Sequence, residues 1–406
     1  MSGALSGIRV LDLSRVLAGP WATQLLGDYG ADVVKVERPG SGDDTRQWGP
    51  PWLEEPAGDA GRESAYFLSA NRNKRSLTVD LSTSPGQQLI RELALEADVL
   101  VENFKAGTLQ RWGLASEDLR DANPRLIVCS ISAFARGSAR AGDPGYDAMI
   151  QASGGLMSIT GGAEEEGGEP QKVGVAIADI MCGMYAATAI IAALHERSNS
   201  GRGQAIEVPL YDSQVAWLAN QSMNYLVGGV VPGRLGTAHP NIVPYQTFST
   251  SDGHIMIAVG NDRQFADCAR SCGLPDLAED PRFRHNADRL ANRADLIAVM
   301  GEAFGQESTD HWVDKLRDAG VPCSPINDIG EVFTSEYAQE VQLVRETPHP
   351  FKQQLPTVAN PVRFSENAVS YRSAPPLLGQ HSGEVLADWL GYSAQTISEL
   401  RQAGTI

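Results

Sequence analysis

The chain has 406 residues, 42% apolar and 20% charged, with 50 acidic against 33 basic side chains and a formal net charge of −17. It is long enough to fold around two cores. The acidic balance excludes nucleic acid or an anionic membrane as the main partner, because both demand a basic footprint.

The N-terminal segment "MSGALSGIRVLDLS" has no basic stretch followed by an apolar one, so no signal peptide is expected. "IRVLDLS" then reads as a strand, "GPWATQLLGDYGA" as a helix ending at Gly30, and "DVVKVERPG" as a second strand closed by Pro39 and Gly40. The pattern repeats: strand "RSLTVDL", helix "SPGQQLIRELALEA" with Ser84 as expected N-cap and Pro85 in its first turn, strand "DVLVENF", two short helices, strand "RLIVCSISAF". Alternating strands and helices predict an α/β fold with a parallel sheet. "YDAMIQASGGLMSITG" reads as helix then loop, followed by the acidic loop "GGAEEEGGEP". "KVGVAIA" is expected to be a strand leading into a helix at Asp179, "GQAIEVPL" another strand, and "YDSQVAWLANQSMNYLVGG" one helix. The uncharged run Ile180 to Leu194 falls short of the ~18 residues of a membrane span and reads as a buried core helix.

Texture changes near Gly228, where "GGVVPGRLGTAHPNIVPYQ" is rich in Gly and Pro. "YQTFSTSDGHIMIAVG" predicts a hairpin turning at Ser251-Asp252-Gly253, and helices follow to Ala319. Residues 1–227 are thus expected to form a large domain and 228–327 a smaller one, with two helices in a C-terminal segment, 328–406.

The motifs of nucleotide enzymes are absent. There is no G-x-x-x-x-G-K-[ST], and "SRVLAGPWA" stands where G-x-G-x-x-G would follow the first strand, so no nucleotide cofactor is expected. "HERSN" is not H-E-x-x-H, and no G-x-S-x-G elbow occurs. Five cysteines follow no disulfide or metal spacing, which suits a reducing cytoplasm and no metal. Asp179 is the one acid in a long apolar run. It reads either as a helix N-cap or as a carboxylate at the ligand edge of the sheet, able to attack an activated acyl group. Basic residues Lys35, Arg38, Arg72, Lys74, Arg75, Lys105 and Arg111 gather near the predicted strand ends. They suit a phosphorylated ligand, or else ordinary solvated surface.

The blocks "VLDLSRVLAGPWATQLLGDYGADVVKVERPGSGD", "NRNKRSLTVDL", "VENFKAGTLQRWG", "GYDAMIQASGGLMSITG", "VGVAIADIMCGMYAA" and "PPLLGQHSGEVL" together resemble the class III CoA-transferases, the CaiB/BaiF family. The resemblance implies a Rossmann-like large domain built from both chain ends, a small central α+β domain and an interlocked homodimer. It implies that Asp179 is the nucleophile, beside Tyr146 and Asp147, with coenzyme A or acyl-CoA as substrate. Val16, Ala18, Arg38, Lys74, Asn103, Phe104 and Arg111 match the family's CoA-holding positions. Relatives that racemise acyl-CoA carry a histidine where this chain has Tyr146, which favours transfer over isomerisation. Formyl-CoA:oxalate transferases carry a glutamine near Leu17 and a glycine run over the aspartate, both missing here. The segments "GTAHPNIVPYQTF" and "GNDRQFA" look most like the branch using succinyl-CoA and a dicarboxylate. Arg15, Arg234, His239 and Asn241 are candidates to hold the second carboxylate.

Overall fold

The computed structural model describes residues 3–56 and 61–406. The chain divides into two compact units, one of residues 1–156, 173–220 and 339–406, the other of residues 157–172 and 221–338. The second unit therefore starts earlier and ends later than the expected 228–327, and it also takes in the acidic loop.

The first unit is built on six strands: β1 (Arg9–Asp12), β2 (Asp32–Glu37), β3 (Lys74–Thr78), β4 (Val99–Glu102), β5 (Ile127–Ser132) and β6 (Ala205–Pro209). They lie in the order β3-β2-β1-β4-β5-β6, and every neighbouring pair is parallel. This is the dinucleotide-fold order, whose direction of winding reverses between β1 and β4. Side chains alternate across the sheet, so both faces are apolar. Val10, Val33, Val99 and Ile127 join one core with α1 (Ala18–Asp28) and α4 (Ile177–Ser200). Leu11, Val34, Leu100 and Val128 join the other with α2 (Ser84–Glu96) and the tail helices α5 (Ser382–Leu390) and α6 (Ala394–Gln402). Fully buried side chains such as Leu26 and Leu93 each contribute roughly 1.5–3 kcal/mol.

α4 is long and apolar enough to cross a membrane. One face of it, including Ala178, Cys182, Ala186 and Ile190, is buried against α1 and the sheet. Contact with α1 is close: a Cβ on Gly183 would lie 2.6 Å from the Ala18 carbonyl oxygen, so only glycine fits there.

Several local expectations need correction. "KVGVAIA" is not a strand. The Val173 N–H donates to Gln151 Oε1 (2.9 Å) and the Ile177 N–H to the Val175 carbonyl (2.8 Å), so this backbone turns instead of joining a ladder. The cap of α2 is Thr83, whose Oγ1 accepts from the Gly86 N–H (3.2 Å); Ser84 is the first helical residue. The expected long helix after β6 is two, Leu210–Ala216 and Ala219–Gly228, broken where Ala219 takes φ +44°. Two hairpins, Trp52–Glu54 with Arg62–Ser64 and Val344–His349 with Lys352–Val358, were not anticipated.

In the second unit the expected hairpin is present as β7 (Tyr245–Ser249) and β8 (His254–Ala258), and β9 (Cys323–Pro325) adds antiparallel to β8. Phe248, Ile255, Ile257, Phe265, Phe304 and Trp312 fill its core.

Candidate active site

The carboxyl ends of all six parallel strands meet two cavities. One, of about 440 Å³, is lined by Arg15, Val16 and Ala18 after β1, Asn103 and Phe104 after β4, Ala133 after β5, Leu210 after β6, the loop 141–146, and Asp179. The other, of about 380 Å³, is lined by Leu13, Arg38 after β2, Val79–Ser82 after β3, and Trp112. Arg15, Asp44 and Phe104 line both. Each volume is in the range of small-molecule sites, and both lie at the edge of the sheet where open α/β folds bind ligands.

At the reversal between β1 and β4 the two strand ends are tied together. Asn103 accepts from the Arg15 N–H (2.9 Å) and donates to the Arg15 carbonyl (2.7 Å). Its amide therefore shapes the rim, and one N–H and one lone pair remain for a ligand in the first cavity.

Asp179 is the third residue of α4, not its cap. The N–H groups at the start of α4 are capped from outside by Asp147, the first residue of α3 (Asp147–Ser153): its Oδ1 accepts from Ala178 (2.8 Å) and Asp179 (3.4 Å). Oδ2 of Asp147 accepts from Gln151 (2.7 Å). Capping by a neighbour leaves the Asp179 carboxylate to the cavity. Burial, and then the Asp147 charge, push its pKa up to about 7, against the opposite pull of the helix N-terminus. Tyr146 is exposed on the cavity rim.

The basic group disperses. Lys74 reaches neither cavity: it is fully buried, and its ammonium donates to Asp12 (3.1 Å), the Pro20 carbonyl (2.9 Å) and Asn71 (2.9 Å). Three donors with three partners leave nothing for a phosphate, and burial brings its pKa down to about 8. Lys35 is buried against Asp43, and Arg72 against Asp28. Arg75 pairs with Asp32 and Asp388. Arg38 is exposed on the second cavity, Lys105 is exposed on the first, and Arg111 is exposed on the helical turn before Trp112. Arg15 is exposed, 3.4 Å from Asp44.

Arg234, His239 and Asn241 belong to the second unit. Arg234 holds the loop before α4 there, donating to the carbonyls of Ser158 (3.4 Å) and Gly168 (3.1 Å) and pairing with Glu164 (3.3 Å). His239 stacks on Tyr245, and its Nδ1 accepts from the Asn241 N–H (3.1 Å).

Tyr66 was not anticipated. It is half-buried, edge-on to Trp48 (5.1 Å), and burial followed by the charges of Asp179 and Asp147 holds its pKa up at about 12. Its phenol therefore keeps its proton at neutral pH. No motif marked it, because it approaches Asp179 only through the fold.

Comparison with known proteins agrees with this geometry. The model of CoA-transferase family III matches residues 5–382. The chain is 42% identical over 402 residues to the succinyl-CoA:glutarate CoA-transferase of Homo sapiens, covering 99% of this chain and 90% of that one. It is 44% identical over 384 residues to the succinate–glutarate CoA-transferase of Agrobacterium fabrum, covering 95% of each. The crystal structure of a CaiB/BaiF family protein from Brucella suis superposes with a TM-score of 0.85 at 44% identity, covering 96% of this chain and 100% of that one. A carboxylate-bearing cavity at the switch point of a parallel sheet, matched over nearly the whole length, places the chain in CoA-transferase family III, and the protein is a CoA-transferase.

Proposed function

We propose that the protein moves CoA from succinyl-CoA to a short dicarboxylic acid, glutarate first among them, through covalent intermediates on Asp179. The observation that carries this reading is the Asp179 carboxylate in the first cavity, uncommitted to capping its own helix because Asp147 does so. The names of the relatives supply the donor and acceptor.

The Asp179 carboxylate oxygen attacks the thioester carbonyl, the C–S bond breaks, and CoA leaves as thiolate. The thiolate attacks the aspartyl carbonyl of the resulting anhydride, releasing succinate and leaving an aspartyl-CoA thioester. The acceptor carboxylate attacks that thioester and expels the thiolate, which then takes the acceptor's carbonyl and restores Asp179. Each step exchanges one activated acyl bond for another, so no ATP or metal is called on. The first-turn N–H groups of α1, beside Val16 and Ala18, face charge that develops on the carbonyl oxygens. The second cavity, with Arg38 and Phe104, takes the nucleotide end, with Arg111 near it. Lys74 supports the site from beneath. Tyr146 and Asp147 stand beside the nucleophile.

For the acceptor's far carboxylate, Arg15 is the favoured cation, because it is exposed where the two cavities meet. Arg234 is occupied by Glu164 and two carbonyls, and with His239 and Asn241 it fits a structural role better. A homodimer is part of the proposal: on α4 an exposed stripe of Met184, Tyr185 and Ile191 faces away from the core, as do Leu226, Val227 and Val231 in the second unit. The five unpaired cysteines suit a cytoplasmic location.

The test is a competition. Enzyme and succinyl-CoA are mixed with glutarate, itaconate, mesaconate, malate, citramalate and oxalate, and the CoA esters are read by mass spectrometry. Glutaryl-CoA is expected to dominate, and Arg15→Met should cut its preference over a monocarboxylate of equal length by about tenfold, the worth of one charged hydrogen bond. If no acid yields a new CoA ester, the dicarboxylate reading is wrong.

A further inference from the structure

The turn between β1 and α1 is held in an unusual way. Val16 sits at φ +69°, in the left-handed region that a β-branched side chain strongly resists. From the Ser14 N–H to the Val16 N–H, every polar backbone group is held by a side chain. The Ser14 N–H donates to Asp12 (3.0 Å), and the Ser14 carbonyl accepts from Lys35 Nζ (2.9 Å). Asn103 takes both polar groups of Arg15. The Val16 N–H donates to both carboxylate oxygens of Asp43, at 3.2 Å each.

Asp43 is itself fixed. Its side chain and that of Lys35 are wholly buried and 2.8 Å apart. The Thr45 N–H (3.0 Å) and hydroxyl (2.8 Å) also donate to it, and its own N–H donates to Glu37 (3.0 Å). A buried ion pair is a poor source of net stability, since apolar replacements often do as well. Strain of the Val16 kind persists only where the surroundings over-determine it, and here the ion pair is what over-determines it. Downstream, Val16, Leu17 and Ala18 line the cavity that contains Asp179, and among the described residues no side chain caps the first turn of α1.

We propose that Asp43, locked by Lys35, is a positioning residue: it holds Val16 in the left-handed conformation and so aims the uncapped first turn of α1 at the thioester end of a bound acyl-CoA. The inference rests on the acyl-CoA reading of the cavity given above. An amide is no substitute for the carboxylate here: Thr45 donates to one oxygen and Lys35 to the other, so the NH2 of an asparagine must face a donor and the side chain turns away. Val16 then returns to negative φ and the turn leaves its place on the cavity wall.

A double-mutant cycle of Asp43→Asn and Val16→Gly tests it, read by CoA binding in calorimetry and by kcat/KM for succinyl-CoA. Glycine takes positive φ without steric cost, so a turn carrying it no longer depends on the carboxylate. Asp43→Asn is expected to lower kcat/KM about tenfold or more with valine at the turn, and less than about threefold in the Val16→Gly background. Equal penalties in the two backgrounds overturn the proposal, because a carboxylate that only stabilises the fold acts the same in both. Should Asp43→Asn fail to fold, the pair Lys35→Met with Asp43→Leu removes both buried charges and the acceptor for the Val16 N–H together and carries the same expectation. Wild-type protein that does not bind CoA would sink the acyl-CoA reading and this inference with it. CoA binding and turnover in wild type with Asp43→Asn indistinguishable from it would sink the positioning role alone.

Discussion

Asp179→Asn should leave CoA affinity within about threefold of wild type and lower transfer by about 10⁴-fold or more, the scale on which covalent catalysis is lost with its nucleophile. An amide keeps the shape of the side chain but offers no carboxylate to form the anhydride. The same substitution has an opposite effect on stability. The folded pKa of Asp179 is raised to about 7, whereas an unfolded aspartate titrates near 3.9. An acid raised in this way binds its proton more tightly in the folded state, so it costs no stability below pH 4 and an increasing amount as pH rises from about 4 to 7. Asp179→Asn should therefore raise Tm at pH 8 and leave it nearly unchanged at pH 4. Loss of activity with a raised Tm at pH 8 separates a missing nucleophile from a damaged fold. Residual transfer within tenfold of wild type would remove Asp179 from the mechanism.

The parallel sheet was legible because its strands are short Val- and Leu-rich runs buried on both faces, and that pattern is local. The same pattern misled at "KVGVAIA". That run has strand composition, but its backbone partner is Gln151, 22 residues earlier in the chain, and no local rule announces such a bond. Asp179 was legible as chemistry, one acid in an apolar run, yet its local geometry was not. The cap that frees it comes from Asp147, 31 residues before the N–H it accepts. Lys74 shows the reverse error. In sequence it stands among Arg72, Asn73 and Arg75 as one more surface cation, and only the fold reveals that it lies beneath α1 with Asp12 and Asn71. Asp43 and Tyr66 had no motif to mark them; their importance comes from which backbone, or which charge, the fold brings near.

Asp147→Asn should move the pH dependence of transfer toward acid. Attack requires the ionised form of Asp179, so kcat/KM in the wild type should rise with pH through about 7 and level off above it, with only about a tenth of the plateau at pH 6. Burial is the larger cause of the raised pKa and remains in the variant; the charge of Asp147 is the second cause and is removed. The asparagine oxygen can still accept from the Ala178 N–H, so the cap on α4 survives and the nucleophile keeps its place. The midpoint then falls, and the fraction of plateau activity retained at pH 6 should rise several-fold. The plateau itself should drop modestly, because a less basic carboxylate is a weaker nucleophile. A pH–rate profile of both proteins, taken with saturating dicarboxylate, decides the matter. A midpoint that stays at the wild-type value would mean that Asp147 acts on α4 only as a cap and that burial alone sets the pKa of the nucleophile.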